Sequence, residues 1–312
     1  MQDTAQTSQL WSSVRRWFRS DHVDESVADD RVDWVRCVPF ILLHVACLAA
    51  FWVGVSPIAV AVAIFLYLVR MFAITAFFHR YFSHRTFRTS RFAQFLFAVL
   101  GSSAVQRGPL WWAAHHRHHH RESDLEPDLH SPRQRGFLWS HMLWFLTPEG
   151  FRTDRKLVKD LSRYPELVWL DRYDLVAPVA LAALTYGAGV ACSWLWPQLG
   201  TSGPQMFVWG FLISTVVLYH ATYTINSLAH LWGHRRFPTK DDSRNNWFLA
   251  ILTLGEGWHN NHHHYAHSAR QGFYWWQIDP TYWGLVVMER LGIIRDLKPV
   301  PEHVKQEGLS QP

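Results

Sequence analysis

Residues 115–120 read HHRHHH, and three more histidine clusters flank that run: HRYFSH at 79–84, NSLAH at 226–230 and EGWHNNHHH at 256–264. Neutral imidazole is a ligand for iron, zinc, copper or nickel. On a helix, positions i, i+3 and i+4 share a face. HxxHH, present at 116–120 and 259–263, is therefore expected to turn three imidazoles toward one point. With His79, His84 and His230 the clusters supply nine nitrogens, too many for one metal. Two metals can share them and keep room for water or oxygen. Cys37, Cys47 and Cys192 have no metal or redox spacing and imply no disulfide framework. A thiolate zinc or iron–sulfur site is thereby disfavoured. Soluble di-iron bundles repeat Glu-x-x-His. Here Glu256-Gly-Trp-His259 is the single unit of that kind, and Glu256 would serve equally as a carboxylate behind a ligand. Iron suits redox work, while spacing alone leaves zinc and copper open. It also leaves two registers open in the central run: His115/His118/His119 and His116/His119/His120.

The elements that must position these residues are apolar. Residues 39–56, 57–78, 175–196 and 204–229 carry one charge among them, Arg70. A membrane span needs about 20 mostly apolar residues, so all four are expected to cross a bilayer. As core helices of a soluble protein they would leave too little polar sequence to cover them. The mean hydropathy of −0.09 hides this clustering. Phe92–Val105 is apolar but short, which suits an interfacial or re-entrant helix.

Charge sets the expected orientation. Of 30 Lys and Arg, five precede the first span, one lies inside the second, 15 fall in residues 79–174 and nine follow residue 234. The two turns between paired spans carry none. Lys and Arg collect on the cytoplasmic side, so both termini, the middle loop and all four histidine clusters are expected there. No secretory signal is visible, and the basic-aromatic patch WSSVRRWFRS at 11–20 suits lipid head groups. The basic pI of about 9.2 is spread along this face and fits a membrane surface; no nucleic-acid motif occurs. His44 and His220 lie within spans, where a helix–helix hydrogen bond is the expectation. Arg70 needs a partner there too.

The order HRYFSH, HRHHH, NSLAH, HNNHH resembles the integral-membrane fatty acid desaturases, whose boxes are HxxxxH, HxxHH and HxxHH with NSxxH before the third. The match runs from about residue 40 to 295. The resemblance implies an all-α membrane protein with four spans and a cytoplasmic helical cap carrying a histidine-rich di-iron site. It implies three parts: residues 1–38 as an N-terminal segment, 39–295 as the desaturase domain and 296–312 as a tail. It implies an O2-dependent enzyme of the cytoplasmic membrane that places a cis double bond, at delta-9, in a saturated acyl chain carried in the first place by CoA and in the second by a membrane lipid. Family boxes read H-R-x-H-H, and Arg117 follows His116, which selects the second register. The ligand positions then fall on His79, His84, His116, His119, His120, His230, His259, His262 and His263, with Asn226 approaching one of two irons through a water. His115 and His118 become neighbours of the ligands, and nearby acids, Asp124 and Glu256 among them with Glu122, Glu126 and Asp128, are candidates to orient them.

The animal acyl-CoA enzymes place Arg-Asp before the second box. Here Ala114 and His115 stand there, although Arg152, Arg155, Lys156 and Lys159 offer a cationic patch. The short C-terminal tail has no room for a fused electron donor, so a separate one of ferredoxin, rubredoxin or cytochrome b5 type is implied. The acyl tail is expected beside the second span, with Tyr67, about 18 Å before His79 on that helix, as a plug. Two competing readings are a membrane hydroxylase and a histidine-rich metal-binding protein.

Overall fold

The computed structural model describes residues 31–310; the 11–20 patch lies outside the described residues. Among the described residues four helices are long and apolar enough to cross a membrane: span 1 (Trp34–Val53), span 2 (Pro57–Ser83), span 3 (Val176–Leu195) and span 4 (Gly203–Leu231). Each covers one expected stretch, with shifted ends. Span 1 starts five residues before the apolar run because the Asp33 carboxylate accepts from the Val35 and Arg36 amides and pairs with the Arg36 guanidinium at 3.3 Å. Span 2 opens with Ser56 as cap and Pro57 in the first turn, and it continues past the expected end at residue 78.

The outward faces are apolar: Phe51 is 85% exposed and Leu184 70%. An apolar belt of this extent needs lipid around it. Span 4 is the hub, since spans 1, 2 and 3 all pack on it. Buried Arg70 of span 2 has its partner there too: its guanidinium donates to the hydroxyls of Ser214 and Thr215, both at 2.6 Å. Neutral acceptors, not a carboxylate, satisfy it. The expected bond between spans is present as well, with His44 Nε2 3.3 Å from His220 Nε2.

At one end of the spans sits a helical cap. Helix α1 (Arg91–Ser102) is too short to cross, and Phe92 is 72% exposed on its outer face. Helix α2 (Pro109–Glu122) carries the central histidine run, and α3 (Pro165–Arg172) packs on α1 and α2. Helix α4 (Trp247–Leu252) precedes the short α5 (His259–His264), which carries the last box. Strand structure among the described residues is confined to the pair Arg88–Thr89 and Ile294–Arg295 and two isolated bridges.

Candidate metal centre

Span 2 delivers His79 and His84 through a change of helix type. Residues Ala73–Ser83 form a π-helix, and the His84 amide donates to the His79 carbonyl at 3.3 Å. In an α-helix, residues five apart diverge by about 140°. The wider i→i+5 turn reduces that divergence, and the two rings lie 4.9 Å apart. This wide turn is what makes HxxxxH a pair.

The two HxxHH boxes behave differently from expectation. Relative to the first histidine, i+3 sits about 60° to one side and i+4 about 40° to the other. On α2, His120 therefore stays with His116 while His119 turns away. On α5, His263 stays with His259 while His262 turns away. Each box is divided between two groups and does not aim at one point. Ring nitrogens of His79, His84, His116, His120 and His262 lie within 4.8 Å of one another; those of His119, His230, His259 and His263 form a second such group.

Within each group, ring nitrogens from different elements close on one another. His262 Nε2 lies 3.0 Å from His79 Nε2 and 2.8 Å from His120 Nε2. His84 and His116 meet at 2.7 Å, and His230 and His259 at 3.0 Å, again through Nε2. A neutral imidazole carries one N–H. Where the other nitrogen spends it, the Nε2 lone pair points inward. His119 Nδ1–H donates to Asp128 (3.0 Å), His230 to Asp124 (2.8 Å), His263 to Asp241 (2.6 Å) and His79 to Glu256. His263 Nε2 is buried with no hydrogen-bond partner. Converging lone pairs and an orphaned buried nitrogen are a donor set that fits metal cations. Burial first, and then neighbouring imidazoles, hold His84, His116, His120, His259 and His262 far below the usual histidine range, in the neutral form a metal needs. Against burial, the His79 ring and the Arg80 guanidinium hold Glu256 below the usual carboxylate range.

Of the acids considered from sequence, Asp124, Asp128 and Glu256 are buried against imidazoles, while Glu126 is exposed and Glu122 partly so. Asp241 was not anticipated: it lies 22 residues before His263 in a loop, and no spacing links the two. Nor was Gln271, whose amide donates to Glu256 at 2.9 Å. His115 and His118, expected beside the ligands, sit away from both groups. Their Nε2 atoms meet the carbonyls of Arg152 (3.1 Å) and Pro127 (2.8 Å). The backbone reason is helical phase: at about 100° per residue His118 points well away from the face shared by His116, His119 and His120, and His115 lies at the edge of that face. Arg117 donates to the Phe82 (2.8 Å), Ser83 (3.0 Å) and Leu157 (2.8 Å) carbonyls and to Asp160 (2.7 Å), strapping α2 to the end of span 2.

Two cavities reach the histidines, and Trp112, His116, Thr222 and Asn226 line both. The larger, about 360 Å³, passes Trp111, Trp144 and Phe40. The smaller, about 50 Å³, continues between spans 2 and 4 past Ile74 and Thr75 and ends at Met71. Tyr67 does not line it. Its hydroxyl donates to the Leu252 carbonyl at 2.6 Å, one helical turn beyond Met71. At that end of the smaller cavity the residue of span 2 in the wall is Met71.

The fatty acid desaturase family model matches residues 55–287. An sn-2 palmitoyl-lipid 9-desaturase of Nostoc sp. (strain 36) is 36% identical over 281 residues, 88% of this chain and 93% of that one. An sn-1 stearoyl-lipid 9-desaturase of Anabaena variabilis is 35% identical over 271 residues, covering 86% and 94%. An acyl-CoA 5-desaturase of Anemone leveillei is 36% identical over 281 residues, covering 86% and 80%. A match of this length, on a chain whose spans carry histidine groups able to hold metal, makes this protein a membrane oxidoreductase acting on fatty acyl chains, a member of the fatty acid desaturase family.

Proposed function

We propose that this protein is an O2-dependent delta-9 desaturase that places a cis double bond in a long saturated acyl chain. The observation that carries the reading is the meeting of two apolar cavities at His116 and Asn226, beside both imidazole groups. The names of the Nostoc and Anabaena relatives support the delta-9 position.

In this reading one iron is held by His79, His84, His116, His120 and His262. The second is held by His119, His230, His259 and His263, with Asn226 near enough to act through a water. Iron suits the all-imidazole set and the redox demand. The alkyl C–H has no acidic proton, so acid–base groups cannot break it; the bound irons, with O2 and two electrons, supply the oxidant. The chain's own residues do the rest. Trp112 and Thr222, at the junction, fix which carbons lie beside His116. The apolar walls exclude water. Asp124, Asp128, Asp241 and Glu256 hold the Nδ1 protons and so the tautomers. The electrons come from a separate donor of ferredoxin, rubredoxin or cytochrome b5 type. The desaturase domain spans 39–295, between the 1–38 segment and the 296–312 tail. The basic residues of the cap support a cytoplasmic active site with both termini on that side.

Expression in a host lacking desaturases, followed by mass spectrometry of fatty acids, tests the reading. A delta-9 alkene is expected; an alcohol product would make the enzyme a hydroxylase and overturn it. The same profile tests the tunnel end. Met71→Ala should move the preferred chain upward by about two carbons, since it removes the side chain that closes the smaller cavity. An unchanged preference in an iron-loaded mutant would exclude Met71 as the end.

A further inference from the structure

The wall of the larger cavity is not closed. Pro39 and Leu43 of span 1 form one side, Pro178, Val179 and Ala182 of span 3 the other, and Phe211 of span 4 the floor. A tunnel reached only from the aqueous side would bury these walls. Here Val179 is 61% exposed and Pro39 is exposed too, on the faces the spans turn to lipid. The gap is confined to the cap-side half. At its lower edge Leu43 and Ala182, and farther from the cap Ala46, Cys47 and Ala50 of span 1, pack on the cluster around Val208, Phe211 and Leu212 of span 4. From Leu175 to Ala182 the opening runs about 10 Å along span 3.

The cap end of this opening is polar. The guanidinium groups of Arg36 and Arg107 each lie 4.5 Å from the centroid of the Phe151 ring, and all three residues line the cavity. Arg36 pairs with Asp33 at 3.3 Å and Arg107 with Asp174 at 3.2 Å. A charged collar at the start of spans 1 and 3, above an apolar cleft, matches the division between the head group and chain of a bilayer lipid. On the cavity wall His115 is bonded to the Arg152 carbonyl and packed 4.6 Å from Trp111.

We infer that the cleft between spans 1 and 3 is a lateral portal through which an acyl chain still esterified to a bilayer glycerolipid slides to the junction at His116, its head group resting on the Arg36–Arg107 collar. This rests on the desaturase reading and names its substrate class. A two-chain lipid stays in the bilayer because withdrawing its tails exposes their whole apolar surface to water. A sideways opening spares it that step, since one tail moves from lipid into an apolar cleft.

The test uses full-length, iron-loaded enzyme in phosphatidylcholine vesicles, with reduced ferredoxin, rubredoxin and cytochrome b5 supplied in turn. One arm carries labelled stearoyl groups in the phospholipid and the other labelled stearoyl-CoA. Intact phospholipid should be desaturated without deacylation. Val179→Trp and, one turn away, Ala182→Phe should each reduce that turnover at least tenfold while keeping their iron. Leu184→Trp, on the lipid-facing side of the same helix and outside the cavity, should not. A phospholipid with a mid-chain diazirine should label the span 4 peptide containing Phe207 and Phe211, and Val179→Trp should lose the label; this readout needs no turnover. Desaturation of stearoyl-CoA alone, indifferent to Val179→Trp, would overturn the portal and leave the desaturase reading standing. Turnover of neither by iron-loaded enzyme would overturn the desaturase reading, and the portal with it.

Discussion

His116→Ala is expected to abolish desaturation, whereas His115→Ala and His118→Ala should keep turnover within about 10–100-fold of wild type. The three residues are neighbours on one helix and identical in chemistry, so only their direction separates them. The His116 Nε2 lies 2.7 Å from that of His84, inside the five-membered imidazole group. Its loss leaves four ligands there and opens one coordination position. His118 bonds to the Pro127 carbonyl at the surface, and its removal touches neither group. His115 lines the larger cavity, so His115→Ala should act on KM more than on kcat. Steady-state rates with iron content measured on each variant decide the matter. An inactive His115→Ala beside an active His116→Ala would invert the register and the ligand assignment with it.

The second large effect is on metal content. Protein purified with iron supplied should hold about two irons per chain, and His230→Ala about one. His230 is 1% exposed, its Nε2 faces His259 at 3.0 Å, and its Nδ1–H donates to Asp124. Removing it takes one of four imidazoles from the smaller group and none from the larger. Asp241→Asn keeps all nine imidazoles and weakens only the hold on the His263 tautomer. Its second iron should bind about 10–100-fold more weakly and still load at high iron. Atomic absorption on the three proteins gives the count. One iron in the wild type, or two in His230→Ala, would refute the division into two sites. A chelator should strip both irons and leave the helices in place, because Arg80 of span 2 pairs at 3.0 Å with both Glu256 and Asp279 and Arg117 straps α2 to the end of span 2.

The spans were legible because a 20-residue apolar run has few alternatives to a membrane helix. The nine histidines of the two imidazole groups were legible as a set through the boxes HxxxxH, HxxHH and NSxxH together with the family resemblance, which chose the register of the central run. What each imidazole faces was not. The separation of His119 from His116 and His120, and of His262 from His259 and His263, follows from helical phase only once α2 and α5 stand opposite each other. Pairing His79 with His84 required a π-helix, which no local residue signal announces. Asp241 and Gln271 became partners of the site through loop paths that bring residues 241 and 271 against His263 and Glu256. The partner of the Tyr67 hydroxyl, the Leu252 carbonyl 185 residues away, was not legible either. Periodicity along one helix is a property of the chain itself and can be read from the sequence. Which faces meet depends on how separate elements pack, and that was decided by tertiary structure.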